Sequence, residues 1–296
     1  MDRNFRKLQV LGGSYYISLP KHWVENFGLE KNSPVAVDVR NDGTLLVSPK
    51  LKQEKADLKE ELKLLMSPSV VREIIWHSFA GETNLVIVSD KGFEKDIRNQ
   101  IRRFVNGLPN TEITEEEQNR IVIQNFGYKK IPTKQLIHRL LSLISDMFDD
   151  LLDDSIEDLQ YNFTQLKKFY FILVIHIRTY LRTNVYVTED NDFTPLEAMD
   201  YRMFCENIQR IGKILKDLRL NENVMEYFKE VRQYFNDTMD AYLKKDLVEA
   251  HKNWMRKDKV VENAKPFLDT LDYDDKDKIK LIILIAQNIK KLAALI

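Results

Sequence analysis

The stretch LGGSYYISLPKHW, residues 11–23, decides how the front of this chain is read. Two glycines lead into a run rich in tyrosine, isoleucine and serine, which suits a short strand. Gly12 and Gly13 supply the turn at the foot of a hairpin, where positive φ is needed. Pro20 ends the run because it has no N–H to give to a ladder. The alternation predicts Tyr16 and Ser18 on one face, with Tyr15, Ile17 and Leu19 on the other, inward one. Around this strand stand four cations, Arg3, Arg6, Lys7 and Lys21.

Working outward, KLQVLGG (7–13), SPVAVDVR (33–40) and GTLLVSP (43–49) read as further short strands, with NDG (41–43) as a hairpin turn. KHWVENFGLEKN reads as a short helix ended near Gly28. Residues 1–52 hold eight Lys/Arg against five Asp/Glu. Some fifty residues of short strands cannot bury enough apolar surface alone, and neither paired cysteines nor metal ligands are present to staple them. Dimerisation is therefore expected.

The remainder changes character. KQEKADLKEELKLLM (52–66) reads as a charged, helix-like connector, and residues 68–126 as a small α/β segment. From residue 133 onward helical periodicity predicts six helices, over 133–158, 161–185, 195–219, 221–245, 246–270 and 275–296. Six amphipathic helices suggest two antiparallel three-helix bundles.

Composition limits the function classes. The chain has 296 residues, 44% hydrophobic and 31% charged, with a net charge of −1. Any attraction for nucleic acid must then be local. Cys205 is the single cysteine, which excludes an internal disulfide and suits a cytoplasmic location. The longest apolar runs, FYFILVIHI (169–177) and LIILIA (281–286), fall short of the ~20 residues of a membrane span, so no membrane insertion is expected. No P-loop, GxSxG, GxGxxG or HExxH occurs, so neither an enzyme nor a cofactor is expected.

The front of the chain resembles the archaeal form of the AbrB/SpoVT-like swapped-hairpin DNA-binding domain. The matching residues are Lys7, Gln9, Gly12, Gly13, Ser14, Ser18, Leu19, Pro20, Lys21, Trp23, Asp42, Gly43 and Pro49. The resemblance implies that two chains exchange hairpins to close one β-barrel. It also implies that Arg3, Arg6, Lys7 and Lys21 contact the phosphates of double-stranded DNA, while Gln9 reaches a base edge.

The back resembles a PhoU-like helical domain, through IHRLLSLISDMFDDLL (137–152), LKKFYFILVIHIRTYL (166–181) and DYRMFCENIQRIGKIL (200–215). That family's helices carry acidic motifs that bind metal. Here Lys167, Arg210 and Lys291 stand at acid positions, while Glu206 and Glu262 are kept. Ammonium and guanidinium groups repel a divalent cation, so no metal is expected, and Lys167 and Arg210 become candidate ionic partners of Glu206.

Asp146, Asp149, Asp150, Asp153 and Asp154 follow the spacing of one helix face and read either as a solvated face or as a docking face. His176, inside an apolar run, reads as a core histidine.

The expectation is an α+β multidomain chain: an AbrB/SpoVT-like DNA-binding domain (1–52) forming a dimeric swapped-hairpin barrel, a connector and α/β segment (53–128), and a PhoU-like pair of three-helix bundles (129–296). The function expected is a DNA-binding transcriptional regulator, homodimeric, tied by the resemblance to phosphate uptake. The alternative is an adaptor that docks on phosphate transporter or signalling proteins and uses the barrel only to dimerise.

Overall fold

Gly12 and Gly13 both take positive φ, +54° and +84°, and turn β1 (Gln9–Leu11) back onto β2 (Ser14–Tyr16). The pairing is antiparallel, with Gln9 opposite Tyr16 and Leu11 opposite Ser14. A two-residue loop of this kind has the twist that a hairpin requires. The computed structural model describes residues 6–39, 45–49, 62–79, 84–127, 131–183 and 193–296. The chain divides into two compact units, residues 1–59 and 60–296.

In the first unit α1 (Lys21–Asn26) starts directly after Pro20. It closes with the Leu29 N–H donating to the Val24 carbonyl at 2.9 Å and the Gly28 N–H to that of Glu25 at 3.1 Å, a paired helix ending. β3 (Val35–Val39) and β4 (Leu45–Pro49) pair antiparallel. The expected NDG turn between them lies outside the described residues. β2 stops at Tyr16, so the alternation read through Leu19 holds only for its first three residues; β1 offers no further partners. None of the described residues of this unit is buried.

The second unit opens with β5 (Leu62–Leu65), α2 (Val70–Phe79), β6 (Asn84–Val88), α3 (Lys95–Val105), β7 (Thr111–Glu116) and β8 (Arg120–Asn125). The sheet order is β5-β6-β8-β7, the first pair parallel and the others antiparallel. Residues 62–65 correct the helix-like reading of 52–66: LKLL has helix-forming composition, but pairing with β6 buries Leu64 and overrides propensity. Leu85, Ile87, Ile121 and Ile123 cluster with Val70, Ile74, Ile101 and Val105 of the two helices. Arg98 and Arg102 hold α3 to the sheet edge through Glu116, at 3.0–3.1 Å. Burial raises the Glu116 carboxyl, but those two guanidinium bonds outweigh it and leave it below its ordinary value.

The helical part contains α4 (Thr133–Leu152), α5 (Ile156–Thr183), α6 (Pro195–Asp217), α7 (Glu222–Lys244), α8 (Leu247–Glu262), α9 (Lys265–Thr270) and α10 (Tyr273–Ala293). Three of the expected boundaries move most, and one is the start of the second helix, at Ile156 instead of 161. The first helix ends at Leu152 because Asp154 turns the chain at φ +55°. The fifth divides in two, since Pro266 has no N–H to carry the ladder on from Glu262. α4, α5 and α6 pack on one another, as do α7, α8 and α10, while α10 against α6 and α4 against α7 join the groups. One continuous core runs through both. Phe148 of α4 lies 5.3 Å from both Phe228 and Phe235 of α7. Tyr227 and Tyr234, two turns apart on α7, donate to the carbonyls of Val260 and Asn253 on α8. No described helix is long and apolar enough to cross a membrane.

Two positions make this packing testable. A Cβ on Gly212 of α6 would overlap a Leu166 methyl of α5 and press on Ile144 Cδ1 of α4 at 3.3 Å. Gly212→Ala gains at most ~1 kcal/mol of helix propensity against an overpacking cost of about 1–3 kcal/mol, so urea denaturation should show a net loss of stability. Asp275, buried in the first turn of α10, accepts hydrogen bonds from Lys278, Asn223 and Asn221, each at 2.7 Å. They hold its carboxyl at about 2 instead of 3.8. The folded value lies below the unfolded one, so this contribution is complete above about pH 4 and fades as pH falls toward about 2. Asp275→Asn should flatten stability over that window in an acid titration followed by circular dichroism.

Candidate nucleic-acid interface

The β1–β2 hairpin has two ends. Gly12 and Gly13 form the closed one; at the open one Gln9 faces Tyr16. Arg6 and Lys7 enter at that open end, and residues 17–20 leave from it to reach Lys21. Arg6, Lys7, Gln9 and Lys21 are all exposed. Arg3 lies outside the described residues. Lys21 pairs with Glu25 at 3.6 Å, one helical turn away, but its side chain is 88% exposed. Such a pair is worth roughly 0.3–0.5 kcal/mol, too little to hold the ammonium from a phosphate.

The signature residues position this end. Ser14 sits opposite Leu11, Ser18 is exposed, and Leu19 and Pro20 are half-buried as the chain turns into α1. Trp23 packs on Phe27 with ring centroids 5.4 Å apart. Tyr15, expected to point inward, is 71% exposed and pairs with Val10, itself 66% exposed. Val10 and Leu11 belong to the KLQVLGG run read as a strand, and they form β1 with Gln9.

In the helical part, the candidate ionic site does not assemble. Glu206 pairs with Arg202 at 2.5 Å and accepts from the Tyr170 hydroxyl at 3.2 Å. Lys167 points instead toward Gly107 at the end of α3, and its ammonium lies over the Phe163 ring. Burial, with Lys216 nearby, lowers its affinity for a proton. Arg210 is exposed, Lys291 reaches Asn288 of its own helix, and Glu262 sits 4.0 Å from Lys265. Lys167 and Arg210 are therefore not the partners of Glu206: an arginine four residues before it on the same helix already fills that role. Among the described residues no group of three or more His, Cys, Asp or Glu is gathered in metal-binding fashion.

The acidic row is also redistributed. Asp149 pairs with Arg232 of α7, Asp146 lies 3.9 Å from Arg139, and Asp150 accepts from Asn162 at 2.9 Å. Asp153 and Asp154 belong to the turn, so the five carboxylates do not form one helix face. Cys205 is fully buried, and burial pushes its thiol up to about 12, as for a packing residue. His176 is half-buried against Phe193, at 5.4 Å.

The N-terminal unit is built from hairpins and presents an exposed basic end. Residues 8–55 match the family model of antidote-toxin recognition MazE, bacterial antitoxin. The match supports an N-terminal domain of the MazE/AbrB-like, DNA-binding type. No curated protein and no solved structure matches the chain, so the PhoU likeness of residues 130–296 rests on the sequence resemblance alone.

The turn gives a test of this geometry. Gly13 holds φ at +84°, where a Cβ costs roughly 1–2 kcal/mol. Gly13→Ala should loosen the first unit and leave the second intact, seen as faster amide exchange confined to residues 6–49.

Proposed function

We propose that this chain is a homodimeric DNA-binding regulator whose N-terminal unit contacts duplex DNA. One observation carries the reading: the segment that matches a MazE/AbrB-like domain, residues 8–55, presents exposed Gln9 and Lys21, with exposed Arg6 and Lys7 just before it, beside a hairpin whose apolar side chains are left exposed by the described residues. Domains of this kind bind DNA and dimerise, and a second copy would supply the missing cover. Arg6, Lys7 and Lys21 would then meet phosphates, fixing orientation, and Gln9 a base edge. Arg3 joins them on the strength of its place in the sequence.

The finer reading is that the helical unit is PhoU-like, senses or relays phosphate status, and thereby ties the regulator to phosphate uptake. Its support is the resemblance of residues 137–152, 166–181 and 200–215. Transporter or signalling proteins of the phosphate system would be its protein partners.

Gel-shift titrations across a salt series test the main reading. The parent chain should lose affinity steeply with salt, by roughly 0.9 log unit per log unit of salt for each phosphate contacted. Arg3/Arg6/Lys7/Lys21→Ala should bind more weakly and with a shallower slope. Equal, salt-insensitive binding by both would remove the basic end from the interface. No shift even at low salt, with capture of a phosphate-system protein, would select the adaptor reading instead.

A further inference from the structure

At one end of the helical part, the start of α4, the first turns of α6 and the end of α7 enclose a cavity of about 670 Å³. That is within the range of small-molecule sites, ~300–1,000 Å³. Ile137, Tyr201, Tyr242 and Leu243 give it an apolar lining. Tyr242 is stacked on Phe204 at 5.0 Å, which fixes that wall.

Charge is unevenly placed around this lining. Lys134, His138 and Lys245 border the cavity, and none of the three has an ion-pair partner among the described residues. Lys244 is engaged with Asp240 at 3.5 Å. Of the two carboxylates present, that of Glu197 is tied to the N–H and hydroxyl of Thr194 at 2.8 and 2.9 Å in a helix cap. Asp200 is the acidic side chain left beside Lys134 and Lys245, and Ile296 lines the cavity too.

Lys245 carries a second, independent sign. It takes the left-handed conformation, φ 52° and ψ 39°, where α7 ends. Glycine or asparagine is the usual occupant of such a position, and a lysine there is strained. Backbone strain of this kind collects at binding sites, and here it places a cation at the rim.

We propose that this cavity binds a small organic anion with a flat apolar body, the anion held by Lys134 and Lys245 and the body lying against Tyr201 and Tyr242. The inference stands apart from DNA binding, since every residue involved belongs to the second unit.

Isothermal titration of the full chain with indole-3-acetate tests it, with tryptamine as a probe of the same ring and opposite charge. Indole-3-acetate should bind once per chain and tryptamine at least tenfold more weakly. Lys134→Ala and Lys245→Gly should each weaken indole-3-acetate about fivefold. Lys245→Gly also relieves the left-handed strain, so its Tm should be unchanged or higher, and lost affinity cannot then be ascribed to unfolding. Absence of binding at millimolar indole-3-acetate, tryptamine binding equally well, or variants that bind like the parent would each overturn the proposal.

Discussion

The N-terminal unit exposes apolar side chains that its described residues leave uncovered. Nine large ones between Leu8 and Leu45 are at least 46% exposed, among them Val10, Tyr15, Ile17 and Val37. Covering what they expose is worth on the order of 10 kcal/mol per chain at ~25 cal/mol per Å². Association costs ~4–15 kcal/mol in lost freedom, and two chains would each contribute their gain. The balance favours a paired state. Two short hairpins without such cover are marginal in water.

The second unit meets the opposite condition. Its core is continuous across α4 to α10, and aromatic contacts such as Phe148–Phe228 and Phe204–Tyr242 cross between helices. Gly212 sets how closely α6 approaches α4 and α5, and the Tyr227 and Tyr234 hydroxyls fix α8 by bonding to its backbone. The buried Asp275 carboxylate is served by specific partners. Asn221 stands at the N-cap of α7 but gives its side-chain amide to Asp275, so the start of α10 takes precedence over the cap. This unit owes nothing to a second chain for its core.

Local signals were legible in the sequence where chemistry and backbone coincide. Gly12-Gly13 and Gly28 announced a turn and a helix end because glycine alone fits those conformations readily, whereas the strand read up to Pro20 stops at Tyr16 and Pro20 instead precedes α1. Long periodic helices were legible as well. Residues 62–65 were not, since a Lys- and Leu-rich tetrapeptide becomes a strand only through its distant partner β6. The break at Asn263–Ala264 was available from Pro266 and was hidden by the periodicity on either side. The exposed basic end was readable from Arg6, Lys7 and Lys21 once the hairpin was placed. The cavity at α4, α6 and α7 was not, because Lys134, Tyr201 and Lys245 are far apart in sequence and only the tertiary fold brings them together.

The lysine at residue 167 fits the same long-range packing. Phe171, one turn further along α5, meets Phe79 of α2 at 5.1 Å and Phe104 of α3 at 6.2 Å, so the α/β layer lies against this stretch of helix. That contact brings the end of α3 to Lys167, with the carbonyls of Arg103 and Phe104 close to Gly107. A helix C-terminus carries partial negative charge and favours a nearby cation. An aspartate at 167 would set like charges against each other in a partly desolvated place, and a lysine turns the same proximity into attraction. Lys167 is therefore the charge that suits an α/β layer docked on α5.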